Sequence, residues 1–192
     1  MTAAHCLYAK NKKGQLEPPV EISFTTGLRR DGRYAWRSFG KHFKAHPVYI
    51  ENDEEEAYDF AVIKLEEGIG KQAGWASLGV ADSETLKSIT VNITGYPGQK
   101  GFMDTLLRRP TYDMYTMSGP IVSVKGHKIY YKIDTSGGQS GAGVWVMTEK
   151  GEPQCIAIHT TGSKLEGNGG IRINDANFNL INEWVDELER KE

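Results

Sequence analysis

The sequence predicts an all-β body, built as antiparallel barrels or a sandwich and closed by a single C-terminal helix. Three observations carry that prediction. Short runs rich in β-branched and aromatic residues recur along most of the 192 residues. Gly, Pro, Asn and Asp separate them at turn-like intervals. Only the last stretch changes period, with apolar residues returning every three or four positions.

The strands are expected, in order, in "VEISFTTG", "YAWRSFG", "DFAVIKLE", "SITVNITGYPG", "GPIVSVKG", "KIYYKID", "GAGVWVMTEKG", "CIAIHTTG" and "GGIRIN". The pair His46-Pro47 reads as the start of a strand. "EEGIGKQAGWASLGVADSETLKS" reads as the connection between two halves, and no internal repeat or low-complexity linker is evident. From Asn177 to Glu189, Phe178, Ile181, Trp184, Val185 and Leu188 form the apolar face of an amphipathic helix, with Asn174 or Asp175 as its cap.

Composition sets the limits of function. With 39% hydrophobic and 25% charged residues, the chain can bury a real core as one globular domain or as two small barrels sharing one. A net charge of -2, from 23 basic and 25 acidic side chains, gives no electrostatic case for nucleic acid. No apolar run is long enough to cross a bilayer, and the first residues, "MTAAHCLYAKNKKG", lack the apolar segment of a secretory signal. Neither nucleic acid nor a membrane is therefore expected as a partner.

The chemistry is concentrated in "KIDTSGGQSGAGVW", Lys132 to Trp145. One hydroxyl, Ser140, lies among glycines that permit unusual backbone angles, between two strands. A serine hydroxyl is a poor nucleophile until a base takes its proton, and its attack on a carbonyl needs donors aimed at the developing charge. The backbone N–H groups of Gly138 and Ser140 are candidates for that oxyanion hole, since Gly137 and Gly138 tolerate the required angles. His5, in "TAAHC", is the candidate base, and Asp59, at the start of an apolar strand, is the carboxylate that needs a partner. The order His, Asp, Ser differs from that of α/β-hydrolases, and the last position of their Gly-x-Ser-x-Gly elbow is here Ala142. His42, His46 and His127 have no such context. The acidic run Glu51 to Glu56 lacks the spacing of a calcium loop and reads as a solvated loop.

In this order, "TAAHC", "DFAVIKL" and "GGQSG" resemble the chymotrypsin-like serine proteases, and "ITGYPG", "IDTSGGQSGAGVW", "IAIHTTG" and "GIRIN" resemble their glutamyl endopeptidase, or V8-like, branch. The resemblance runs from Thr2 to the terminal helix. It implies two antiparallel β-barrels of the chymotrypsin-like type, at about 1–75 and 88–174, a helix at about 175–190, and an active site in the cleft between the barrels. It implies a serine endopeptidase using His5, Asp59 and Ser140, with protein or peptide substrates, no cofactor and no metal, acting as a secreted monomer.

For specificity, the resemblance places His159 and Thr135, five positions before Ser140, around a glutamate side chain. An imidazolium and a hydroxyl there would donate charge-assisted bonds to the carboxylate. Asp134 is the competing feature, because trypsin-like enzymes carry at that place the acid that attracts Lys or Arg. The expectation is that Asp134 turns away and bonds to backbone. Thr160, Thr161 and Gly162 offer a strand edge to which substrate backbone can pair. Gln139 stands where trypsin-type zymogens have the aspartate that captures a freed N-terminus. The chain begins almost on its histidine, so the resemblance implies upstream strands and a cysteine partner for Cys6, and an incomplete first barrel. Cys6 and Cys155, the only cysteines, are expected in different barrels and not bonded to each other. A noncatalytic protease-like binding module is the alternative from another class.

Overall fold

The computed structural model of the chain describes residues 1–98, 113–163 and 166–191. Its N-terminal part begins with a 3-10 turn, Ala4–Cys6, followed by a two-stranded hairpin of β1 (Ala9–Lys10) and β2 (Leu16–Glu17). A separate three-stranded antiparallel sheet joins β3 (Ser23–Thr26), β4 (Trp36–Ala45) and β5 (Ala61–Leu65) in the order β3-β4-β5. Among the described residues this part, expected as an incomplete barrel, is an open three-stranded sheet beside a short hairpin and does not form a closed ring.

The strand start expected at His46-Pro47 is instead a helix start. β4 ends at Ala45, and α1 (Pro47–Glu51) opens with proline at its first position, where a missing N–H costs nothing. The His46 ring accepts the N–H of Val48 as its cap. A second 3-10 turn, Glu56–Tyr58, leads to Asp59. The connection between the two parts holds α2 (Gly70–Ala73), β6 (Ser77–Leu78) and α3 (Ser83–Ser88). Asp82 caps α3 by accepting the N–H groups of Glu84 and Thr85.

The second part is a closed barrel. β7 (Thr90–Gly95), β8 (Tyr115–Val124), β9 (Lys128–Tyr131), β12 (Gly167–Arg172), β11 (Pro153–Ser163) and β10 (Gly143–Met147) pair antiparallel in that order, and β10 returns to β7. Among the described residues, closure leaves the six strands no free edge along their paired length; β6 adds to β11 in parallel outside the ring. Leu86, Val91, Ile93, Ile129, Tyr131, Val144 and Ile156 fill the interior.

The terminal helix, α4 (Asp175–Glu189), is capped by Asn174, which accepts the N–H of Asn177 at 2.9 Å. Its buried stripe is Asn177, Ile181, Trp184 and Leu188; Val185, expected on that face, is exposed. The stripe packs with Phe60 and Val62 of the first part and Ile158 and Ile171 of the barrel, so one cluster joins both parts. Lys64 locks the end of the helix to β5 by donating to the carbonyls of Leu188 at 2.8 Å and Lys191 at 2.7 Å.

Candidate active site

His5 belongs to the first 3-10 turn, and Asp59 follows the second. They meet because Thr2 and Ala61 exchange backbone hydrogen bonds of 3.0 and 2.9 Å, laying the His5 segment along the start of β5. Asp59 is buried, and each of its oxygens is used: Oδ1 accepts the His5 backbone N–H at 2.9 Å and Oδ2 meets Nδ1 of the ring at 2.5 Å. The carboxylate raises the pKa of His5 above its ordinary value of 6.5, because it stabilises the imidazolium. Nδ1 is committed to Asp59, and the neighbouring Cys6 side chain adds a second, smaller upward effect on the ring.

Ser140 lies in the turn between β9 and β10. Gly138 there has φ of 94° and Gly141 φ of 83°, left-handed angles that other residues resist. A Cβ on Gly138 would meet the Gly98 nitrogen at 2.6 Å, and one on Gly141 would meet the Thr2 hydroxyl. The turn is thus pressed between the loop after β7 and the segment that carries His5. Cys6 adds a thiol contact to the Ser140 carbonyl at 3.5 Å. Gly98 N–H donates to the Gly137 carbonyl at 2.6 Å, which turns that oxygen toward the loop after β7 and, across the trans peptide, the Gly138 N–H the other way. Among the described residues, neither the Gly138 nor the Ser140 N–H has an acceptor within the chain. The Ser140 hydroxyl donates to the Thr160 carbonyl at 3.3 Å and makes no hydrogen bond with His5.

His159 is fixed to the same turn by its backbone: its N–H donates to Ala142 at 2.8 Å and its carbonyl accepts from Gly141 at 2.7 Å. Its side chain is buried, with Nδ1 2.6 Å from the Tyr131 hydroxyl and 3.1 Å from the Gly169 carbonyl. Burial pushes its pKa down to about 4, so the ring is neutral near pH 7 and the expected imidazolium is absent from the free protein. Thr135 is half-buried. Asp134 is exposed and, among the described residues, lacks the expected backbone hydrogen bond. β10 leaves β11 at the Gly143–Ile158 pair, and the ladder to β12 is interrupted between His159 and Gly162. Past that point, among the described residues, no strand pairs with Thr160, Thr161 and Gly162 on the edge toward β10. Cys6 and Cys155 are both free thiols.

The other histidines have structural surroundings. His46 stacks on Tyr58 at 4.5 Å and on Phe60 at 5.3 Å, and His127 stacks on Tyr58 at 5.0 Å. His42 lies in β4, opposite Lys64 of β5. Sequence reading missed three partners of the site. Tyr131 holds His159, and Gly98 orients the Gly137 peptide. Glu56, taken as part of a solvated loop, bonds to Lys128 and Thr161 of the barrel. A clue to Glu56 was its position three residues before Asp59; nothing in the apolar pattern around Tyr131 marks it out.

The closed barrel, the terminal helix and this constellation define the chymotrypsin-like class of serine proteases. Within it, the chain belongs to the family described as "Trypsin-like peptidase domain", which matches residues 1–153. Among its relatives are glutamyl endopeptidases. The chain is 28% identical over 205 residues to the "Glutamyl endopeptidase" of Bacillus licheniformis, covering 98% of this chain and 57% of that protein. It is 28% identical over 189 residues to the "Extracellular metalloprotease" of Bacillus subtilis, covering 97% and 55%. The chain therefore spans little more than half the length of these curated relatives. The solved structure "Glu endopeptidase in complex with MPD" superposes with a TM-score of 0.77 at 27% identity, covering 95% of this chain and 78% of that one. Among the described residues no group of three His, Cys, Asp or Glu side chains is placed to hold a metal ion, and no helix is long and apolar enough to cross a membrane.

Proposed function

We propose that the chain carries the peptidase unit of a secreted serine endopeptidase that works through an acyl-enzyme and prefers glutamate at P1, the residue whose carbonyl is attacked. The observation that most supports the reading is the His5–Asp59 pair at 2.5 Å, beside a serine turn held in left-handed glycine angles.

In this reading the Ser140 hydroxyl leaves the Thr160 carbonyl by rotation about its Cα–Cβ bond when substrate arrives. It gives its proton to Nε2 of His5 while its oxygen attacks the carbonyl carbon. Asp59 keeps Nδ1 protonated and stabilises the imidazolium. The oxyanion takes the N–H groups of Gly138 and Ser140. His5 then returns the proton to the leaving amine, and water repeats the sequence to release the acid. Substrate backbone pairs with the edge of Thr160, Thr161 and Gly162, as an added strand.

The P1 preference is read from His159 and Thr135, together with relatives named glutamyl endopeptidase. A neutral His159 can donate to the carboxylate only in the tautomer with its proton on Nε2, in which Nδ1 accepts from the Tyr131 hydroxyl and gives up donation to the Gly169 carbonyl.

A fluorophosphonate probe should label Ser140, and Ser140→Ala should lose both labelling and peptide hydrolysis, by about 10⁴ or more in rate. A P1 library should give Glu over Asp, and both far over Lys or Arg. His159→Ala should reduce the discrimination by about 1.5–3 kcal/mol in kcat/KM. Labelling at another residue would overturn the catalytic assignment. Cleavage after Lys or Arg, undisturbed by His159→Ala, would make Asp134 the determinant instead.

A further inference from the structure

Glu56 ends the acidic run, and its carboxylate is the hub of a cluster that crosses between the two parts of the molecule. Its Oε2 accepts from Lys128 Nζ of β9 at 2.9 Å and from the Thr161 hydroxyl of β11 at 3.0 Å. Lys128 Nζ also lies 3.5 Å from that hydroxyl, closing a triangle. The two charges are unequally accessible: the Lys128 side chain is 10% exposed and the Glu56 side chain 57%. A peptide in the cleft therefore meets the carboxylate, whose Oε1 has no partner among the described residues, and not the ammonium.

The location matters as much as the charge. Thr161 is one of the three edge residues on which substrate is read to pair. The positive charge of His5 contributes to lowering the Glu56 pKa, after the larger effect of its bond to Lys128, so Glu56 is within electrostatic reach of the catalytic imidazole. On an added strand, side chains alternate between the two faces. If the P1 side chain enters the cleft beside His159, the preceding one, P2, leaves on the opposite face, toward His5 and Glu56.

From this arrangement, and resting on the endopeptidase reading above, we propose that Glu56, held by Lys128 and Thr161, forms an S2 subsite that selects a basic P2 side chain and disfavours an acidic one. Lys128 and Thr161 act as positioning residues. They fix one oxygen and leave the other for the substrate. Of the rest of the acidic run, Glu54 and Glu55 add like charge on the same loop, while Asp53 is paired with Lys10 at 2.6 Å.

The test compares fluorogenic peptides that share P1 Glu and differ only at P2, as Lys, Gln or Glu. The wild-type protein should favour Lys over Glu by about fivefold to tenfold in kcat/KM, as expected of an exposed ion pair gained in one peptide and a repulsion in the other. The ratio should shrink as salt is raised from about 0.05 to 0.5 M. In Glu56→Gln it should fall to within about twofold. Because that substitution leaves Lys128 without its counter-ion, the Glu56→Gln, Lys128→Met double variant is measured as well and should show the same loss. Binding of the same peptides to Ser140→Ala, by fluorescence anisotropy, reads the subsite without turnover. Equal use of Lys and Glu at P2 by the wild type, or a Lys preference that survives in both variants, would overturn the subsite. If no peptide were hydrolysed but Ser140→Ala still bound the Lys peptide more tightly, and lost that preference with Glu56→Gln, the catalytic reading alone would fail.

Discussion

Asp59 serves His5 twice, through the backbone N–H on Oδ1 and the ring on Oδ2. Orientation and electrostatics are therefore lost together when the carboxylate goes. Asp59→Asn should lower kcat by about 10⁴, because an amide nitrogen facing Nδ1 favours the wrong tautomer. It should also move the acid limb of kcat/KM to lower pH, since the raised His5 pKa depends chiefly on this carboxylate. A pH–rate profile in which the limb stays in place would show that another group sets it. Gln139 makes a related point about its turn. It is buried, and its Oε1 accepts the Ser136 N–H at 2.9 Å, so a neutral amide braces the nucleophile loop from inside, where an aspartate would need a buried cation. The triad candidates were legible as residues because each stands out against its local pattern: a histidine among small residues, an acid at the edge of an apolar run, a serine among glycines. Tyr131 and Glu56 were not, because an aromatic in a strand and a glutamate in an acidic run look ordinary until the chain folds.

Among the elements, the nine strands read from the sequence all appear, because each has enough β-branched or aromatic residues to show its period. β1, β2 and β6 escaped since two residues carry no period, and α1 escaped because five residues after a proline look the same as a strand's beginning. The terminal helix was legible in type but not in orientation. Spacing alone admits Phe178 and Val185 to the buried face, whereas packing against β5 and the barrel selects the narrower stripe through Ile181, Trp184 and Leu188. Trp184 is central to that stripe, with its ring 5.5 Å from Phe60 and 6.3 Å from His46. Trp184→Ala should destabilise the protein by about 3–5 kcal/mol, as expected of a large aromatic removed from a packed seam. Val185→Ala, on the exposed side of the same turn, should cost less than about 0.5 kcal/mol. Urea unfolding of the two variants checks the contrast, and equal losses would mean that the helix does not seal the joint between the parts.

For the molecule as a whole, stability against pH is set by histidines that the fold treats in opposite ways. Burial lowers the pKa of His159 to about 4, against 6.5 for an unfolded histidine, and His46 is lowered by burial in the same direction. Between those values the unfolded chain binds a proton that the folded chain refuses, so stability falls as pH drops from 6.5 toward 4. His5 has the opposite sign: its pKa is raised, so its contribution is fully present below 6.5 and is withdrawn only as pH rises through the folded value. His5 therefore does not offset the acid loss: below 6.5 both the folded and the unfolded chain bind its proton, and its contribution stays constant across that window. The net acid slope is steepest where His159 dominates, because its ring is the more completely enclosed. His159→Leu should flatten the loss of stability between pH 7 and 4.5 by about 2 kcal/mol relative to the wild type, with the variant less stable at pH 7 because Tyr131 loses its partner. Urea midpoints at a series of pH values measure this directly. Curves that run parallel for the two proteins would show that the acid slope belongs to the carboxylates, with His159 carrying no part of it.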